Sequence, residues 1–281
     1  MGHVSAIGGR QMSGRAIEAR VSQRVFFGVS ALLFAVSAAV TIIGAASMSA
    51  MGEMPMAGGW TMSTAWMRMC GQTWPGVAAS FLGMWVAMMI AMMLPSLVPM
   101  LLRYREAVSG IGETRLGPLT VLVGMGYFFV WTAFGMVAFP LGVALAALEM
   151  ELPALARAVP LAVGVIVLIA GALQFTAWKA RHLACCRETP GRCLTVPALP
   201  TDAATAWRHG LRLGLHCSYC CAGLTMVLLV VGVMDWRVMT VVTAAITIER
   251  LAPHGERVAR VIGVVIVGAG VLLIARAVGL G

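Results

Sequence analysis

The sequence predicts an all-α protein, a polytopic transmembrane helix bundle of about seven spans with a cytoplasmic N-terminus. Three observations carry that prediction. Hydrophobic residues make up 60% of the 281 and charged residues 11%, at a mean hydropathy of +0.92. So little polar surface cannot cover a soluble globule, and a bilayer must act as the solvent. Apolar runs recur along the chain, most near or above the ~20 residues a helix needs to cross hydrocarbon. Lysine and arginine, 20 in all, fall very unequally on the two sides of those runs.

Residues 1–24 form a polar, arginine-bearing tail, and the first run, Val25 to Ala46, follows without a convincing small-residue cleavage site. It reads as a retained helix, not a signal peptide. Further runs cover Val77 to Leu102, Pro118 to Leu148, Val159 to Trp178, Gly210 to Met234, Val238 to Leu251 and Val258 to Ala275. The sixth has only 14 residues, so six spans plus a re-entrant segment is the alternative count. All of this makes one membrane domain, 25–276, with an outer loop at 47–76 and a cytoplasmic loop at 179–209, both too small for cores of their own. With the N-terminus inside, only Arg68, Arg157, Arg237 and Arg276 lie outside. Membrane topology thus accounts for the net charge of +9 without a nucleic-acid partner.

Sulfur dominates the polar chemistry. The outer loop "MSAMGEMPMAGGWTMSTAWMRMC" holds Met48, Met51, Met54, Met56, Met62, Met67 and Met69. Thioethers keep binding copper(I) where thiolates would be oxidised to disulfides; the competing reading seats these side chains at the membrane interface with Trp60, Trp66 and Trp74. In the second run, "MWVAMMIAMMLP", Met84, Met88 and Met92 form one helical stripe and Met89 and Met93 an adjacent one, with Pro95 and Pro99 expected to break the helix just below. Methionine stripes usually fill cores, but Met-x-x-x-Met also resembles the pore motif of Ctr-type copper transporters. Met88, Met92 and Met93 are therefore candidate ligands.

"HCSYCC" supplies the sharpest constellation. Cys217, Cys220 and Cys221 fall within about a 100° arc, so three sulfurs share one helix face, with His216 beside them. Counted at ~1.5 Å per residue, they lie near the depth of Met89, which predicts a mixed thioether and thiolate site between segments 77–102 and 210–234. The loop "KARHLACCRETPGRC" adds His182, Cys185, Cys186 and Cys193, expected as free thiols and an imidazole that can bind a soft metal. Glu249 reads as an ordinary ion-pair or snorkelling partner of Arg250, and Gln174 as an interhelical hydrogen bond.

Taken together, Trp85, Met88, Ala91, Met92, Met93 and Pro95, the loop after the fourth run, and Trp207, Arg208 and Gly210 leading to Cys217, Cys220 and Cys221 resemble a bacterial family described as predicted metal-binding integral membrane proteins. The resemblance covers roughly Gly76 to Ala275. His182 stands where that family tends to have a cysteine, four positions before Cys186. The resemblance implies a multi-pass protein of the bacterial inner membrane that binds metal.

Ligand chemistry narrows the metal. Sulfur donors without a carboxylate cluster predict copper(I), with other soft metals such as silver or mercury as chemical relatives. The leading expectation is a protein of the lipid bilayer that binds and moves or handles copper(I); a soluble metal donor or acceptor protein and a homo-oligomer with a shared pore are open alternatives to a single chain that encloses the site alone. Two alternatives are a membrane subunit or chaperone that assembles a copper enzyme, and a membrane thiol-disulfide oxidoreductase using Cys217 and Cys220. No Walker motif is visible, which disfavours direct use of ATP, and the balance leans away from an enzyme.

Overall fold

The computed structural model describes residues 3–50, 54–63, 66–68, 71–108, 113–187, 202–233 and 235–279, with side chains from Arg20 onward except at 49–50 and 113–114. Its elements are α1 (His3–Ala50), a two-stranded ribbon of β1 (Met54–Pro55) and β2 (Thr61–Met62), and then α2 (Trp74–Val108), α3 (Glu113–Glu151), α4 (Pro153–Leu173), α5 (Ala177–Arg187), α6 (Ala203–Gly232), α7 (Trp236–Leu251) and α8 (Gly255–Ala277). Among the described residues, six helices are long and apolar enough to cross a membrane: α1 over Arg20–Met48, then α2, α3, α4, α6 and α8. The short sixth run becomes α7, whose 16 residues extend about 24 Å, less than the ~30 Å of hydrocarbon.

Local chemistry sets the helix ends. Asp202 caps α6 by accepting a hydrogen bond from the Thr205 amide at 3.1 Å, and Asp235 caps α7 by accepting from the Arg237 amide at 2.7 Å, each satisfying a donor that the first turn leaves free. Pro153 opens α4 at a position where its missing N–H costs nothing. Two expectations need correction. Pro95 and Pro99 do not end α2, which runs on for 35 residues; within a bundle, neighbouring helices and hydroxyl side chains re-satisfy the carbonyls a proline frees. The segment 179–209 is not all loop, because its first part belongs to α5.

Helix approach depends on small residues. A Cβ at Gly210 would stand 2.3 Å from the Val123 carbonyl oxygen and one at Gly214 2.8 Å from that of Tyr127, so this four-residue glycine spacing on α6 brings its backbone against α3. The same device pairs α4 with α8, where a Cβ on Gly171 would lie 2.7 Å from the Val267 nitrogen. The main core gathers around α2, with Trp85, Met88, Met89, Met93 and Leu97 packed among Tyr127 and Trp131 of α3, Leu183 of α5 and Leu228 of α6.

On the side of the ribbon, the tryptophans expected at the membrane interface divide. Trp60 donates from its indole nitrogen to the Ala156 carbonyl at 2.8 Å, and the Trp66 ring packs 5.2 Å from that of Phe81 and over Gly142. These two therefore anchor the loop to protein, while Trp74 is exposed. Met54 is exposed and Met62 buried; Met51 and Met69 lie outside the described residues, as does Cys193.

Candidate metal centre

The predicted thiol face of α6 is buried. Cys217, Cys220 and Cys221 are each 2% exposed or less, and Cys186 from α5, 4% exposed, joins them. All four belong to the same buried cluster. Four free thiols from two helices thus make one continuous cluster. Cys221 lies about 16 Å and Cys217 about 22 Å from the Gly232 end of α6.

Arg250, from the last turn of α7, fills the space between the sulfurs. Its Nη2 lies 2.8 Å from the Cys217 sulfur, 3.2 Å from Cys221 and 3.8 Å from Cys186. Its Nη1 donates to the Ser96 hydroxyl of α2 at 3.0 Å. Two further groups meet Cys217: the Tyr127 hydroxyl at 2.8 Å and the Met93 thioether at 4.0 Å. The close α3 and α6 backbones explain the first, since Gly214 lies against the Tyr127 carbonyl one turn before Cys217. Among the described residues, no three His, Cys, Asp or Glu side chains are grouped as a ready-made ion site; a guanidinium stands among the thiols instead.

Next to the cluster lies a buried ion pair. Lys179 Nζ is 2.7 Å from Glu249 Oε2, with both side chains 5% exposed or less, and it also donates to the Cys220 carbonyl at 2.7 Å. Glu249 is therefore paired with Lys179, and the expected partnership with Arg250 is not found. A carboxylate and an ammonium at this depth hold each other's charge, which neither could do alone. Gln174 also departs from expectation: its amide has no hydrogen-bond partner among the described residues, and it lines a cavity of about 270 Å³ with Lys179, Glu256 and Arg260.

The other candidate ligands fall in different places. Met88 and Met92 are buried on the N-terminal side of Met93 along α2, and Met84 points at α1, where its side chain occupies the space over Gly44. The stripe that reaches the thiols is thus the one containing Met89 and Met93. His182 and His216 sit together at the edge of the cluster, Nδ1 to Nδ1 at 3.4 Å. Cys185 is disulfide-bonded, contrary to the free thiol expected there.

Fold and site together define a polytopic α-helical bundle with a buried, sulfur-rich centre. The chain belongs to the PpoB2 family of copper chaperones, whose family model matches residues 82–273. Every residue of the thiol cluster, with Arg250, Met93, Tyr127 and the Lys179–Glu249 pair, falls inside that range. Neither the curated proteins nor the solved structures contain a match to the chain.

Sequence reasoning missed Arg250, Lys179, Tyr127 and Ser96 as parts of this centre. One signal was available: the only acidic residue between positions 238 and 251 is Glu249, and a charge inside an apolar segment needs an opposite charge from another element. Lys179 is the lysine in question, the only one in the chain.

Proposed function

We propose that this chain is a membrane-embedded copper(I) chaperone that holds the ion among Cys217, Cys220, Cys221 and Cys186, with Met93 as a thioether ligand, and passes it to an acceptor protein. The observation that carries the reading is a buried four-thiol cluster in which Cys217, Cys221 and Cys186 converge on a single guanidinium, with the Met93 thioether against Cys217. Copper(I) is cargo here, and soft sulfur donors suit it over harder divalent ions.

Charge supports a monovalent ion. Copper(I) on two thiolates makes a unit of charge −1, which the Arg250 guanidinium cancels, whereas a divalent ion on the same pair would leave an uncompensated +1 in the interior. Without the ion the Arg250 N–H groups satisfy the thiols; once copper(I) binds, the guanidinium remains beside the complex as counter-ion. The Lys179–Glu249 pair fixes the ends of α5 and α7 on α6, holding Cys186 and Arg250 in register.

Met88 and Met92 form the outward approach, handing the ion along α2 to Met93 and then to stronger thiolate ligands. The descent from thioether to thiol favours movement toward the arginine-rich side, which we assign to the cytoplasm of a bacterial inner membrane. Storage and hand-over fit this site better than a pore, because the ion's route ends at its tightest ligands.

Titration of anaerobic copper(I) into the purified protein against a chromophoric chelator tests the reading. Wild type should bind copper(I) tightly and stoichiometrically, and Cys217→Ser/Cys220→Ser/Cys221→Ser should lose that binding. Equal affinity in the triple variant would discard the thiol site. Accumulation of copper inside reconstituted vesicles, with no transfer to an acceptor thiol protein, would replace the chaperone reading with transport.

A further inference from the structure

The two histidines beside the thiol cluster have a geometry of their own. His182 and Cys186 are four apart on α5, and His216 and Cys220 four apart on α6, so each helix carries an imidazole one turn from a thiol on the same face. The helices match these pairs like to like. Cys186 and Cys220 both belong to the buried cluster, and His182 Nδ1 lies 3.4 Å from His216 Nδ1. The Trp178 ring lies 4.8 Å from His182 and the Tyr219 ring 5.4 Å from it, setting the imidazole planes. Where the thiols are almost fully covered, the histidines are half-buried and Tyr219 is 48% exposed.

The nitrogen separation is informative. Two nitrogens 3.4 Å apart subtend about 110° at an ion bound about 2.0–2.1 Å from each. That angle suits three- or four-coordinate binding and leaves positions for a ligand from outside; a linear ion would need nitrogens about 4 Å apart.

We infer that His182 and His216 form a second metal site at the edge of the cluster, through which copper(I) enters or leaves the buried thiols. This rests on the copper reading of the thiol cluster only for the traffic between them. Neutral imidazoles hold copper(I) less firmly than thiolates, which makes the pair the exchangeable station, and one helical turn, about 5.4 Å, separates it from Cys186 and Cys220. An open coordination position lets the thiol or thioether of a partner take the ion without first entering the bundle.

The test titrates anaerobic copper(I) into full-length protein in detergent, comparing wild type, His182→Gln/His216→Gln and Cys217→Ser/Cys221→Ser. Wild type should show a tight and a weaker class of site. The histidine variant should lose the weaker class and retain the tight one, which also reports that it has folded, while the cysteine variant should do the reverse. X-ray absorption of wild type loaded past the first equivalent supplies a readout that needs no variant, with imidazole scattering expected at about 2 Å. Absence of imidazole from that spectrum, or a weaker class that survives in the histidine variant, overturns the site. A wild type with no tight class but an imidazole-dependent weak class removes the copper reading of the thiols and leaves the histidine site standing.

Discussion

Helices α1 and α2 pack against each other and are about equally apolar, yet 11% of the most apolar window of α1 is buried inside the bundle against 44% of that of α2. Apolarity places both in a bilayer and says nothing about which one faces protein. The difference lies in side-chain type. Helix α1 turns Leu32, Leu33, Ile42 and Ile43 outward, all replaceable by one another against lipid. Helix α2 buries Trp85, Met88, Met89 and Met93, whose shapes and heteroatoms need particular neighbours: Trp85 donates to the Trp131 carbonyl at 2.8 Å, and Met93 meets Cys217. The candidate centre is built on the two most buried spans, α2 and α6, the latter 39% buried over the same measure.

The largest expected effect comes from breaking the charge pair that supports the buried half. Lys179→Met should cost about 3–5 kcal/mol, because Glu249 would be left as an unpaired buried charge, whereas Lys179→Met/Glu249→Leu should recover most of that loss. Thermal unfolding in detergent measures both. A double variant no more stable than the single one would mean that Lys179 matters through its bond to the Cys220 carbonyl and not through its charge.

Gly210→Val comes next. Its new side chain would collide with the Val123 carbonyl, and forcing α3 and α6 apart should cost about 1–3 kcal/mol while moving Tyr127 away from Cys217. Reduced copper(I) binding with only a small loss of stability would show that helix spacing matters more to the centre than to the fold.

The sequence made some of this legible and hid the rest for a physical reason. Span positions and the shared face of Cys217, Cys220 and Cys221 follow from hydropathy and the 100° step of one helix, both local properties. Which of the two methionine stripes of α2 meets those cysteines depends on the rotation of α2 about its axis, and that is fixed by Trp85, Gly44 and other partners far away in sequence. Arg250 was hidden likewise: its meeting with Cys217 depends on the register of α7 against α6, set by the turn at Asp235. The pairing of His182 with His216 required knowing that 177–187 is a helix lying along α6, whereas its polar composition had read as loop.

Methionine exchanges probe that rotation with a smaller effect. Met93→Leu nearly conserves volume and should change stability by less than about 1.5 kcal/mol, yet lower copper(I) affinity about tenfold, the equivalent of about 1.4 kcal/mol. Met84→Leu, whose side chain faces α1, should leave the affinity unchanged. Equal losses from both would return the ladder to packing and remove Met93 from the ligand set.

The smallest effect is expected on α1. Leu32 is 65% exposed, and lipid surrounds an outward leucine about as well in the separated helix as in the bundle, so Leu32→Ala removes little that folding had gained. Its effect should fall within about 0.5 kcal/mol, while Leu97→Ala, at a fully covered position of α2, should cost about 2–5 kcal/mol. The contrast also tests assembly. If Leu32→Ala costs much more than expected and the cost grows as the protein is diluted in detergent, a second copy of the chain covers this face, since only an association has a stability that depends on concentration. The low burial of α1 would then describe the protomer alone, and the outward leucines and isoleucines would belong to an interface as specific as the one α2 makes within the bundle.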